Sequence, residues 1–285
     1  MKIPVYGPDG SQKGSVALEK AFSTPVRPDV ITRAILSVQS RKRQPYGTDT
    51  LAGLRTSAHY HGERSIYMSM MNREMARLPR LHGNTGHLFF TARRVPQATK
   101  GREAHPPKPE KIYRRKINKK EFRLAFLSAL AATSLPELVR GRGHIIDGAK
   151  SLPIVVSDEV ENISKPKELI GMLVSMGLEK ELERVSSKAI RASSAKRGRK
   201  HKRKKGILLV ISRQEKLERA AGNIPGLEIA TPKTIKIEQL APGTHPGRLV
   251  VWSESAIKET EKFYFGGKAE KAEKASKAKQ KEIKQ

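Results

Sequence analysis

Apolar positions recur along this chain at two different spacings, and the spacings divide it into elements. Val30, Ile31, Ala34, Ile35 and Val38 fall at helical intervals behind TPVRPD, a Pro-containing stretch that suits a helix start. A second helix is predicted over 118–133, with Phe122, Ala125, Phe126, Ala129 and Leu130 on one face, Asn118 as N-cap and Glu121 in the capping-box position. Further on the pattern changes. Short continuous apolar runs, LPIVV (152–156), GILLVI (206–211), LEIA (227–230) and RLVVW (248–252), alternate with helical stretches around 165–176, 214–221 and 253–262 and a turn or short helix near 235–240. Such runs read as strands buried on both faces, so the predicted class is α/β, a mostly parallel sheet flanked by helices. KIPVY (2–6) and VAL (16–18) are expected to add a hairpin at one side.

Between the first two helices lie about 75 residues with no sustained period, rich in Gly, Pro, His and Arg. A compact domain rarely holds such a stretch unless it is functional or disordered. The expected organisation is therefore a discontinuous globular domain (1–40 and 118–265) with an extended loop (41–117) inserted in it. A basic arm (188–205) interrupts the globular part, and a low-complexity tail (266–285), expected to be disordered, follows it.

Charge sharpens this division. The 285 residues carry 57 Lys and Arg against 28 Asp and Glu, a net of +29. Residues 41–120 hold 19 basic and 5 acidic side chains, and residues 188–205 hold ten basic and none acidic. The tail adds seven Lys and three Glu, which leaves the remaining residues close to neutral. A polyanionic partner met by two projections from a neutral body is the implication.

Several chemistries are set aside. With no cysteine there is no disulfide framework and no thiolate metal site. No secretory leader and no run of about 18 apolar residues occurs, so a soluble cytoplasmic protein without membrane contact is expected. No P-loop or nucleophile elbow is present, and GRGHII (141–146) has Ile146 where a dinucleotide fingerprint needs its third glycine. Asp158, Glu159 and Glu161 follow a predicted strand at the usual active-site edge, but adjacent carboxylates before a helix more often cap it. His59 with His61, or His82 with His87, lack the spacing of a metal set, so neither metal nor cofactor is expected. The chain therefore reads as no enzyme; the alternative is an RNA-modifying or RNA-cleaving enzyme using the sheet's C-terminal edge, and a third reading is a general nucleic-acid packaging protein.

The chemistry that is present suits RNA. Each basic side chain set against phosphate releases counterions, and folded RNA offers phosphates on several sides together with unpaired bases for stacking. The candidate RNA-binding residues of the loop are Arg41, Lys42, Arg43, Arg55, Arg64, Arg73, Arg77, Arg80, Arg93, Arg94, Lys100, Arg102, Lys108, Arg114, Arg115 and Lys116. Tyr46, Tyr60, Tyr67, Phe89, Phe90 and Tyr113 are interleaved with them. Those of the arm are Lys196, Arg197, Arg199, Lys200, Lys202, Arg203, Lys204 and Lys205. A loop of this composition buries too little apolar area to offset its ordering entropy, so it is expected to order on its partner.

Several longer stretches carry a resemblance: YGTDTLAGLRTSA (46–58), ARLPRLHG (76–83), RRVPQATKGREAHPPK (93–108), RGRGHIIDGAKSLPIVVSDEVE (140–161), GRKHKRKKG (198–206) and HPGRLVVWSESA (245–256). In this order they resemble the universal ribosomal protein L-four family of the large subunit, in its archaeal and eukaryotic-type form. That resemblance implies a structural constituent of the large ribosomal subunit that binds its rRNA and supports assembly. It also implies a loop that reaches the nascent-peptide exit tunnel and forms the constriction with the L-twenty-two family. By motif the tip lies between Gly62 and His82, with Arg73, Arg77 and Arg80 as tunnel candidates, although IYMSMMNREM here replaces the Gly/Arg-rich tip often found in the family.

Overall fold

The computed structural model describes residues 2–18, 20–83, 86–187, 189–190, 201–202, 204–213 and 216–261. The tail expected beyond 266 and most of the basic arm lie outside them. The chain divides into two compact units, Met1–Gln39 with Arg115–Gln285, and Ser40–Arg114.

In the first unit the apolar runs become strands, and those at 154–156, 208–210 and 250–253 are buried throughout their length, whereas 228–230 is only partly buried. Strands β1 (Lys2–Tyr6) and β2 (Gln12–Ala17) form the expected hairpin. They are followed by α1 (Pro28–Arg41), α2 (Lys119–Ala131), α3 (Pro136–Gly141) and β3 (Ile154–Val156). Next come α4 (Pro166–Ser175), α5 (Glu179–Ser186) and a small antiparallel pair, β4 (Ala189–Ile190) with β5 (His201–Lys202). The chain then runs through β6 (Leu208–Val210), α6 (Leu217–Ala221), β7 (Glu228–Ala230), α7 (Ile237–Leu240), β8 (Val250–Ser253) and α8 (Glu254–Glu261). The six-stranded sheet has the order β2-β1-β3-β8-β6-β7, and every pairing except β1 with β2 is parallel. This is the α/β class read from the sequence.

The period of two along the strands sorts side chains to opposite faces of the sheet. Val155, Leu208, Val210, Val250 and Trp252 face α1, α2, α7 and α8, where Ile31, Ile35, Phe126 and Leu130 are buried against them. Ile154, Val156, Leu209 and Val251 face α4 and α6, meeting Leu169, Leu173 and Leu217. Trp252 meets Phe22 edge to face at 5.7 Å.

One local expectation is corrected. Asn118 is the N-cap of α2, but its side chain makes no capping bond, and Glu121 instead forms an ion pair with Arg33 of α1 at 2.8 Å. The carboxylate is therefore used between helices, where it ties together the two helices that flank Ser40–Arg114. At the same place Ser37 Oγ donates to the Arg115 carbonyl at 2.8 Å, holding the return of the chain beside α1.

Leu209 lies in β6 with 1% of its surface exposed. Leu209→Ala should lower unfolding stability by roughly 2–5 kcal/mol, the cost of a buried leucine plus its cavity, measured by chemical denaturation.

Candidate nucleic-acid interface

The base of the basic arm is built from buried charge. Glu181 of α5 is fully buried; it accepts from Ile145 N–H at 3.1 Å and from Arg184 Nε and Nη2 at 2.8 and 2.7 Å, and sits 2.6 Å from His144 Nδ1. These donors outweigh burial and hold its carboxyl at about 2, below the ordinary 4.5, while burial pushes the His144 pKa down. Arg184 Nη2 also donates to the Lys205 carbonyl, and Lys204 Nζ donates to the Arg184 carbonyl at 2.8 Å. Alongside, the fully buried Arg248 donates to Glu228 at 2.5 Å and to the Gly206 and Gln239 carbonyls at 2.9 Å, and Lys205 pairs with the same Glu228. Gly226, with φ +69°, lets the chain pass close by; a Cβ there would lie 2.3 Å from Val185. Of the arm candidates, Lys204 and Lys205 thus anchor its return to the sheet. Lys202 belongs to β5, and Lys196, Arg197, Arg199, Lys200 and Arg203 lie outside the described residues.

Ser40–Arg114 is organised differently. Its main chain makes a minimal three-segment ladder: His59 and Arg80 exchange both N–H···O bonds at 3.2 and 2.9 Å, and Leu81 N–H donates to the Thr91 carbonyl at 3.1 Å. Gly53 and Gly101 approach backbone to backbone, and a Cβ on Gly53 would lie 2.5 Å from the Gly101 carbonyl oxygen. Among its described residues only Ala58, Met70 and Leu81 are buried apolar side chains, whereas Tyr46, Leu51, Tyr60, Ile66, Tyr67, Met75, Leu88, Phe89 and Ile112 are exposed. Met68, Asn72, Phe90, Arg94 and Lys100 adopt the left-handed backbone region, which is uncommon and costly for residues with a Cβ.

The loop candidates fall into two groups. Arg80 is buried and spends its guanidinium on the Phe90 and Ala76 carbonyls, both at 3.0 Å. Arg93, half-buried, donates to the Thr99 carbonyl, and Arg55 pairs with Asp49. Arg43 lies 4.2 Å over the Tyr113 ring, which stacks with Tyr46, and Arg73 lies 5.1 Å over Phe90. Arg41, Lys42, Arg64, Arg77, Arg94, Lys100, Arg102, Lys108, Arg114, Arg115 and Lys116 are exposed.

At the C-terminal edge of the sheet, a cavity of about 550 Å³ is lined in part by Asp158, Glu161, Ser212, Arg213, Ser255 and Glu259. Its carboxylates are engaged. Glu161 accepts from Ser212 N–H at 2.7 Å and from Ser253 Oγ at 2.9 Å, and Asp158 accepts from Ser255 N–H at 2.9 Å in the first turn of α8. Glu159 pairs with Lys13 at 2.5 Å. Asp158 and Glu161 thus cap main chain, although on neighbouring elements and not on the helix that follows them, whereas Glu159 binds a lysine side chain. At GRGHII, Gly143 has φ +94° beyond α3, and Arg142 donates to the His245 carbonyl at 2.6 Å. Burial and the nearby Arg248 and Arg184 lower the Arg142 pKa to about 10.

Beyond this geometry, a sequence model of the ribosomal protein L4/L1 family matches residues 16–263. The chain belongs to that family. The large ribosomal subunit protein uL4 of Haloquadratum walsbyi is 43% identical over 261 residues, 91% of this chain and 98% of that protein. The protein of the same name from Nanoarchaeum equitans is 45% identical over 262 residues, 90% and 97% of the two chains, and that from Methanopyrus kandleri is 41% identical over 263 residues, 92% and 98%. The match to the L4/L1 family spans both units.

Sequence reasoning missed two groupings in this L4/L1-family chain. The His144–Glu181–Arg184 network joins a loop to a highly charged helix that carries little apolar signal. His59 and His61 meet His82, not the His82–His87 pair, because the His59–Arg80 bridge sets two distant segments side by side.

A carboxyl whose pKa is depressed by folding contributes stability above its unfolded value that is lost as pH falls below it. Glu181 should therefore stabilise the fold fully above about pH 4.5 and progressively less toward pH 2. Glu181→Gln should cost an amount at the lower end of roughly 3–5 kcal/mol at neutral pH, with the deficit shrinking in that acid window; urea titrations of both proteins across pH 2–7 measure it.

Proposed function

We propose that this chain is a non-enzymatic constituent of the large ribosomal subunit that binds large-subunit rRNA through Ser40–Arg114 and the 188–205 arm. In the subunit it supports assembly and extends the 62–82 tip to the nascent-peptide exit tunnel, beside a member of the L-twenty-two family. The observation that carries this reading is the composition of Ser40–Arg114: 15 Lys and Arg against five Asp and Glu, on a unit with three buried apolar side chains. Such a unit takes its order from a partner rather than from its own core. The partner chemistry follows from the surface, where exposed guanidinium groups match phosphate and exposed aromatic rings match unpaired bases. The left-handed backbone at Met68, Asn72, Phe90, Arg94 and Lys100 fits a conformation held by outside contacts. The relatives' name, large ribosomal subunit protein, supplies the setting.

Within the tip the three tunnel candidates have different roles. Arg77 is exposed and is the side chain we assign to the tunnel wall, Arg73 stacks over Phe90, and Arg80 holds the tip together from inside. The main-chain bonds already made by Asp158 and Glu161 support the scaffold reading over a nuclease at the sheet edge.

Two measurements test this. Binding of the full chain to large-subunit rRNA should weaken steeply with salt, and replacing three exposed arginines together, Arg64→Gln, Arg77→Gln and Arg102→Gln, should reduce the log–log salt slope by about 0.7–0.9 per lost phosphate contact; an unchanged slope contradicts it. Deletion of residues 63–81 should impair subunit assembly or alter elongation of tunnel-sensitive peptides, and normal behaviour in both would remove the tunnel role.

A further inference from the structure

His59, His61 and His82 meet ring against ring. Their centroids are 4.3 Å apart for His59 and His61, 4.5 Å for His59 and His82, and 4.3 Å for His61 and His82, the last pair stacked. One ring nitrogen from each lies within 4.8 Å of those of the other two. On each ring one nitrogen is also close to a main-chain carbonyl. His59 Nδ1 is 2.9 Å from the Ser57 oxygen, His61 Nδ1 is 3.1 Å from the Tyr67 oxygen and His82 Nε2 is 3.3 Å from the His59 oxygen.

A carbonyl only accepts, so those three nitrogens carry the protons. In the neutral tautomer this leaves the lone pair on Nε2 of His59, Nε2 of His61 and Nδ1 of His82. The last of these is buried and has no partner. An orphaned acceptor inside a small unit calls for an explanation. Rings oriented by a carbonyl on one nitrogen, with the other nitrogen offered, are the arrangement in which histidines ligate metal ions.

We propose that His59, His61 and His82 form a site for one divalent transition-metal ion of the kind imidazole favours, represented by Zn²⁺. Three nitrogen ligands leave one tetrahedral position for water, and the absence of a carboxylate from the set disfavours Mg²⁺ and Ca²⁺. Metal–nitrogen distances of about 2.0–2.1 Å place tetrahedral ligand atoms roughly 3.3–3.4 Å apart. The ligand nitrogens, now within 4.8 Å of one another, therefore draw together to close on the ion. The consequence concerns order: His61 and His82 bound the tip, and Ala58, Met70 and Leu81, the buried apolar side chains of the unit, lie within a few residues of the ligands or of the segment between them. An ion here supplies the cross-link that so small a core lacks.

The test uses the untagged, metal-free full-length chain. Titration with Zn²⁺, followed by calorimetry, and with Co²⁺, followed by visible absorption, should show one ion per chain and a tetrahedral Co²⁺ spectrum. His61→Ala and His82→Ala should each weaken binding by no less than the roughly 10–100-fold that loss of an outer-shell partner costs, whereas His87→Ala and His105→Ala, in the same unit but outside the cluster, should leave it unchanged. Independently of how the variants fold, long-range ¹H–¹⁵N spectra of the wild-type imidazoles should show Zn²⁺ shifting Nε2 of His59 and His61 and Nδ1 of His82. Absence of saturable Zn²⁺ binding, binding that survives both ligand substitutions, or shifts confined to other nitrogens would overturn the proposal and leave the rings as a stacking surface.

Discussion

Ordering a polypeptide costs conformational entropy at every residue, and apolar burial is the main term that offsets it. Met1–Gln39 with Arg115–Gln285 meets that condition through a sheet covered on both faces. Ser40–Arg114 does not: among its described residues three apolar side chains are buried and nine large ones are exposed. The difference between the units follows from this constraint. In one, charge is paired internally, as with Glu181, Arg184, Arg248 and Glu228. In the other it is displayed, and the few interior polar contacts, such as those of Arg80, hold main-chain carbonyls in place of a core.

The same constraint explains where the charge lies along the chain. Outside the 188–205 arm and the tail the body is nearly neutral and can close-pack without self-repulsion, whereas the proposed reliance of Ser40–Arg114 on phosphate fits its excess positive charge and exposed rings. Backbone strain follows the division as well, since five of the six described non-glycine residues with left-handed φ are in Ser40–Arg114. Strain of this kind persists where surroundings over-determine the conformation.

Much of the α/β unit was legible because its strands are buried on both faces and appear as unbroken apolar runs. Ile154–Val156, Leu208–Val210 and Val250–Ser253 lie inside or within one residue of the runs that predicted them. Less legible were features made by contacts distant in sequence. That β8 inserts between β3 and β6 depends on long-range pairing, and α5 was hidden because its sequence, EKELERVS, is dominated by charge. Glu121 has the capping-box spacing yet bonds Arg33, because α1 places a guanidinium within its reach. The basic segments were visible from composition. Composition did not separate Arg80, which is internal, from Arg77, which is exposed, because their difference lies in the fold of the tip.

Under the proposed function, Ser40–Arg114 takes its order from RNA. Hydrogen exchange of the metal-free, full-length chain, with and without large-subunit rRNA, tests it most directly. Without RNA, amides of β3, β6 and β8 should be protected and those of residues 40–114 should exchange freely; with RNA, protection should appear selectively across 40–114. Equal protection of both units in the free chain would contradict the account.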